Sequence, residues 1–191
     1  MIHNPEIECM SREDMRKLQS ERLVKIVKTC YEKVPFYRRK MDELGVKPSD
    51  IKSIDDISKL PFTTKHDLRD EYPFGLQAVP MTDVRRIHAS SGTTGKPVVD
   101  TYTDNDIAKW SEGVARVLAA GNVGHGDVVQ IAYGYGLFTG GLGAHDGTNK
   151  RGAIQLPISA GNSEKQIMLM KDFGTSALCC TPSYALHLAS I

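Results

Sequence analysis

Eight consecutive residues, Ser90-Ser91-Gly92-Thr93-Thr94-Gly95-Lys96-Pro97, hold the densest set of groups able to grip an anion. Four hydroxyls and a row of backbone N–H groups can converge on phosphate oxygens, as the concave nests of anion-binding loops do. Gly92 and Gly95 permit the tight turns and close backbone approach this needs, and Lys96 adds a mobile positive charge. The order is not that of a Walker loop. Only Thr93 and Thr94 separate Gly92 from the Gly95-Lys96 pair, and the run joins two predicted strands rather than a strand and a helix. A plain surface hairpin is the competing reading, yet so many phosphate-compatible residues between apolar strands exceed what a turn requires.

A second run, Tyr133-Gly134-Tyr135-Gly136-Leu137-Phe138-Thr139-Gly140-Gly141-Leu142-Gly143-Ala144-His145, follows an apolar strand. Its composition leaves two readings open. The glycines can bring the backbone against a flat ligand while Tyr135 and Phe138 supply aromatic surface, or the run is a strained connection whose aromatics are core. Of the other histidines, His88 on the strand before the first loop reads as structural, and His125 in Gly124-His125-Gly126 reads as solvated.

These runs need elements to hold them. Ser11 with Asp14, Ser53 with Asp56, and Thr64 with Asp67 are capping-box spacings that start helices in the first eighty residues. Pro35 opens another helix, which stops at Gly45 in the left-handed position of a helix end. From Val84 the pattern turns to strands, at 84–89, 97–102, 128–133, 153–156 and 175–180. Helices are predicted between the later strands. One runs from the Thr103–Asp106 box to Gly121, with Ile107, Trp110, Val114, Val117 and Leu118 as its apolar stripe. A second ends near Asn149, a third covers 163–171, and a last begins at Pro182. The alternation predicts an α/β fold: a helical N-terminal region over residues 1–82, then a partial α/β domain over 83–191 with a mostly parallel sheet flanked by helices. Ligands of such sheets bind beyond the carboxyl ends of the strands. The apolar, helical stretch 182–191 has no closing turn, which points to a fragment of a longer protein.

The Ser90–Pro97 run resembles the phosphate-binding signature of the acyl-adenylate-forming enzymes. The glycine run resembles the corresponding stretch of phenylacetate–CoA ligases, as do Tyr31-Glu32-Lys33-Val34-Pro35-Phe36-Tyr37, Leu60-Pro61-Phe62-Thr63-Thr64-Lys65 and Cys180-Thr181-Pro182-Ser183-Tyr184. The resemblance covers roughly residues 15 to 191. It implies the N-terminal part of the large domain of an acid–CoA ligase. That enzyme uses ATP, Mg²⁺ and coenzyme A to convert a small, aromatic carboxylic acid first to an acyl-adenylate and then to a thioester. Carried over on this basis, Ser90, Ser91, Gly92, Thr93, Thr94, Gly95 and Lys96 bind nucleotide phosphates, with Thr93, Thr94 and Lys96 catalytic. Tyr135, Phe138, Gly140, Gly141, Gly143 and His145 line the acid's pocket. A carboxylate nucleophile is already ionised and needs no base, so His145 is left to orient or pack near the pocket, or to contact nucleotide or substrate. The run departs from the family after His145. Asp146 stands where an aromatic is usual, and Asn149 where an acid is, so either the acid is not plain phenylacetate or the packing there differs.

The family's adenine segment, Mg²⁺-holding acid and C-terminal lysine are not visible in this sequence. The chain by itself is therefore expected to be inactive, and either a homodimer or association with a missing C-terminal portion is expected. Another acid or acceptor, or a non-catalytic subunit, are the alternatives. The 24 basic and 23 acidic side chains nearly cancel, which argues against nucleic acid or an anionic membrane as a partner. No apolar run has the length of a bilayer span. Cys9, Cys30, Cys179 and Cys180 form no CxxC pair and read as small hydrophobes in a reducing compartment, the cytoplasm.

Overall fold

The computed structural model describes residues 1–92 and 95–191. They form two compact units, residues 5–101 and residues 1–4 with 102–191.

In the first unit, α1 (Pro5–Glu8) and α2 (Arg12–Lys33) precede α3 (Pro35–Glu43) and α4 (Lys65–Asp70). Ser11 caps α2 by accepting from the Asp14 backbone N–H at 3.0 Å. At the end of α3, Gly45 takes φ +68°. Its N–H donates to Asp42 O and that of Val46 to Met41 O, the paired bonds of a Schellman stop. Val27, Met41 and Ile51 make the small core here, with Leu23, Tyr31, Val46 and Leu60 packed around it. Strands β1 (Arg86–Ala89) and β2 (Val99–Tyr102) pair with each other.

The second unit is a parallel sheet in the order β4-β3-β5. Its elements in chain order are α5 (Asp104–Ala120), β3 (Val128–Ile131), α6 (Gly140–Arg151), β4 (Ile154–Leu156), α7 (Ser163–Phe173), β5 (Ala177–Cys179) and α8 (Pro182–Ala189). Val129 faces Gln155 on one side and Ala177 on the other. The core of this unit is Leu118, Val123, Val129, Ile131 and Ala144, flanked by Val114, Tyr133, Tyr135 and Cys179. Thr103 and Asp106 close a reciprocal capping box on α5, with N–H donations of 3.3 and 3.0 Å. Gly121 does end α5, but with φ −77°. The left-handed position falls on Asn122 at φ 61°, a residue whose short polar side chain tolerates it. Residues 1–4 pack here too: the Met1 amine donates to Ala119 O at 3.0 Å, and Asn4 donates to Glu112 at 3.0 Å.

One expectation is corrected. Val117 is not on the packed face of α5; it is 69 % exposed, and the buried residues are Ser111, Ala115, Leu118 and Ala119. Glycines on α6 let that helix and α5 approach closely. A Cβ at Gly147 would sit 2.3 Å from Val114 Cγ1, and one at Gly143 only 2.5 Å from the Trp110 indole. The α6 glycines thus seat the large Trp110 and Val114, while the buried face of α5 centres on Ser111, Ala115, Leu118 and Ala119 and leaves Val117 at its edge. Among the described residues no helix is long and apolar enough to cross a membrane.

Two outcomes follow from this packing and from the caps. Gly147→Ala should cost about 1–3 kcal/mol in urea unfolding, since the Val114 Cβ cannot move aside. Gly113→Ala, on α5 with open space around it, should gain roughly 0.5–1 kcal/mol; equal effects would contradict the close crossing. Asp67 receives hydrogen bonds from the Lys40 ammonium (2.9 Å), the Thr64 N–H and the Thr64 hydroxyl, and its carboxyl is held down at about 2. Lys59 and the N–H groups of Lys52 and Ser53 hold Asp56 at about 2 as well. A carboxyl depressed in the folded state stabilises above its unfolded value and loses that contribution as pH falls through the folded one. The urea midpoint should therefore be flat from roughly pH 7 to 5 and decline between about pH 4 and 2. Asp67→Asn should soften that decline, and an unchanged acid limb would rule the contact out as its source.

Candidate active site

The phosphate-loop candidates lie in the first unit, between β1 and β2. The Ser90 N–H donates to Val98 O at 2.9 Å, and the Val98 N–H returns to Ser90 Oγ at 3.0 Å, closing the base of the loop. Ser90 Oγ accepts in that bond, which leaves its own hydrogen to be donated elsewhere. Gly92 and Gly95 adopt φ of 65° and 132°, and the Gly95 N–H donates to Gly92 O at 3.0 Å. A side chain on Gly92 would be strained in that conformation and would meet Gly95 O at 3.0 Å. Ser90, Ser91, Gly95 and Lys96 are exposed. The Lys96 ammonium stands 5.5 Å from the centre of the Tyr72 ring. Thr93 and Thr94, the two remaining candidates, lie outside the described residues. His88 on β1 is buried, as a structural histidine is.

The aromatic candidates lie in the second unit, on the connection from β3 to α6 and on α6 itself. Tyr135 and His145 come together edge to face, with ring centres 5.9 Å apart at 87° and Tyr135 Oη 3.5 Å from His145 Nδ1. Burial, helped by the nearby Cys179 thiol and Asp146 carboxylate, pushes the Tyr135 hydroxyl above its ordinary range, so the phenol stays neutral at physiological pH. The His145 carbonyl accepts from Gln155 Nε2 at 3.1 Å, which ties α6 to β4. Gly140 lies beside the Tyr133 ring, and Gly141 is buried against the Gly134 carbonyl, where a Cβ would come within 2.7 Å. Gly143 faces Trp110 of α5. Phe138 is 69 % exposed and lies beside Gly140.

A cleft of about 460 Å³ opens beyond the carboxyl ends of the three parallel strands. Ala132, Tyr133 and Gly134 line it after β3, Ala160 and Gly161 after β4, and Thr181, Ser183, Tyr184 and His187 after β5. The Tyr133 hydroxyl donates to Cys180 O at 2.8 Å, joining two of these exits. Sequence reasoning did not single out Ala160, Gly161, Ser183 or His187 as site residues. The usable signal was positional, since each follows a strand of a parallel sheet at the end where ligands bind. The cleft combines aromatic surface with hydroxyls and an imidazole, as small-molecule sites do. A cavity of about 130 Å³ in the first unit, lined by Leu68, Pro73, Phe74 and Val99 among others, is well below ligand-site size.

No family model matches the chain. It is 53 % identical over 189 residues to the phenylacetate-coenzyme A ligase of Thermus thermophilus, covering 99 % of this chain and 42 % of that protein. With the Escherichia coli phenylacetate-coenzyme A ligase it is 53 % identical over 182 residues, covering 95 % and 42 %. Among solved structures it superposes with a TM-score of 0.91 on a 2-hydroxyisobutyryl-CoA ligase in complex with 2-HIB-AMP and CoA, at 32 % identity over 97 % of this chain and 41 % of that one. The chain thus spans about two fifths of the length of the relatives it matches. It is homologous to phenylacetate-coenzyme A ligases and related acyl-adenylate-forming ligases, and corresponds to the N-terminal portion of an acid–coenzyme A ligase.

Proposed function

We propose that this chain supplies the nucleotide-phosphate loop and the acid-binding wall of an ATP-dependent, AMP-forming acid–coenzyme A ligase whose acid is a small arylacetate. The observation that carries the proposal is the extent of the match: about half of the residues are identical to phenylacetate-coenzyme A ligases along nearly the whole chain. The solved relative with bound acyl-adenylate and CoA is a ligase of a branched hydroxy acid at lower identity, so the aryl acid is the favoured substrate.

In the proposed reaction an acid oxygen attacks the α-phosphorus of ATP. The acyl-adenylate forms as the bond to pyrophosphate breaks. The thiolate of coenzyme A then attacks the acyl carbon, and AMP leaves. Charge builds on the departing pyrophosphate in the first step, so donors already aimed at it lower the barrier. The hydroxyls of Ser90, Ser91, Thr93 and Thr94, the loop N–H groups and the Lys96 ammonium have this role. In the other unit Tyr135, held by His145, presents a neutral phenol and a flat ring to the acid, with Gly140 and Gly141 keeping the backbone low beside it. Gly143 supports that wall from behind through its seat on Trp110, and Phe138 closes on the acid from the exposed side. Among the described residues no group of three or more His, Cys, Asp or Glu comes together to hold a metal ion. Mg²⁺, when bound, would neutralise charge on the phosphates in the first step, and the resemblance places the acid that holds it outside residues 1–191.

A chimera carrying residues 1–191 in place of the matching part of the Thermus thermophilus ligase allows the test. Lys96→Ala should lower acid-dependent pyrophosphate exchange about 100-fold, in the range of a lost transition-state donor, with coenzyme A affinity unchanged. Undiminished exchange would remove the loop from the mechanism. Tyr135→Ala should shift the preference for phenylacetate over acetate by about tenfold, the scale set by lost pocket contacts, and leave the KM for ATP alone. A change confined to ATP would refute the acid-wall assignment.

A further inference from the structure

Behind the cleft, two glutamines are completely buried, Gln130 on β3 and Gln166 on α7. Their amides form a closed set of hydrogen bonds. Gln130 Nε2 donates to Gln166 Oε1 at 2.6 Å and to Gln166 O at 3.1 Å. Thr175 Oγ1 donates to Gln130 Oε1 at 2.9 Å. Gln166 Nε2 spends both of its hydrogens on the loop after β4, donating to Ser159 O at 2.8 Å and Gly161 O at 3.2 Å. Every amide hydrogen of the pair is used, and a buried network of this kind loses most when one member goes.

The loop that receives these bonds has an unusual backbone. Ser159, Gly161 and Asn162 all adopt positive φ, at 69°, 87° and 51°; glycine and asparagine tolerate it, and Ser159 is the strained member. Ala160 and Gly161 from this loop form the cleft wall after β4. The Tyr184 hydroxyl, on the wall after β5, donates to the same Gly161 O at 3.3 Å. Gly161 O is thus where the buried amide meets the opposite side of the cleft.

We propose that Gln166 is a positioning residue of the cleft. Without touching the ligand, its side-chain amide, aligned by Gln130, fixes the wall at Ser159–Gly161 and so sets the width of the site. The substrate consequence rests on the ligase function proposed above; the fixing of the wall does not.

Gln166→Met keeps the length of the side chain and removes both donors, and Gln166→Glu keeps its size while turning an acceptor toward the two carbonyls. Thr175→Val is the control, because it cuts the network at the end remote from the wall. Amide hydrogen exchange on the full chain should quicken at residues 158–162 by about tenfold or more in both Gln166 variants, the scale of an orphaned buried group. The strand amides of 128–131 should change far less, and Thr175→Val should leave 158–162 at its original rate. In the chimera, the KM for phenylacetate should rise about five- to tenfold in the Gln166 variants with kcat much less affected, and stay put in Thr175→Val. Uniform quickening over both segments in either Gln166 variant would overturn the proposal, as would a loosened wall with an unchanged phenylacetate KM. If the unsubstituted chimera activates no acid, the ligase function falls, and the exchange pattern alone decides whether Gln166 fixes the wall.

Discussion

Parallel pairing of β3 with both of its neighbours is the constraint on which the cleft depends. Three strands running the same way release their chains at one edge, and each exit must find backbone hydrogen-bond partners as it turns into a helix. Here the exits bind one another: the Tyr133 hydroxyl reaches Cys180 O, the Ser159 N–H reaches Ile131 O, and Tyr184 reaches Gly161 O. A concave, partly polar cleft is what remains between them. If β3 lost its register, the Tyr133 and Ile131 contacts would part together, because both are referenced to its carboxyl end.

Glycine on α6 is the second requirement, and it serves both packing and the site. Gly143 and Gly147 bring α6 against Trp110 and Val114, while Gly141 admits the Gly134 carbonyl. A helix with so many glycines is a poor helix by propensity, and its tight burial against α5 offsets that. The same closeness delivers His145 to Tyr135. The Tyr135–His145 pair is thereby set by backbone spacing rather than by a dedicated sequence motif.

Much of this was legible in the residues. Thr103 with Asp106 and Thr64 with Asp67 mark helix starts because the side chain and the N–H they satisfy are three residues apart, a relation local enough to read without a fold. The Ser90–Pro97 run stood out for its chemistry, and the order of strands and helices gave the sheet type. What depended on long-range spacing was not legible. Val117 looked like core because it is apolar and in phase, yet the packed face of α5 passes it by. Ala160, Gly161 and His187 have no motif around them and gain meaning from the strand ends they follow. The Gln130–Gln166 pair is invisible in sequence, since two lone glutamines 36 positions apart carry no pattern until β3 and α7 are packed.

The central claim is that the edge where the three strands end receives the acid. A crystal structure of the chimera with a non-hydrolysable phenylacetyl-adenylate analogue addresses it most directly. The account predicts the phenyl ring within van der Waals reach, about 4 Å, of Tyr135 and of the Ala160–Gly161 wall. An acyl group seated away from this cleft, with Tyr133, Tyr135 and Gly161 all out of contact, would contradict it.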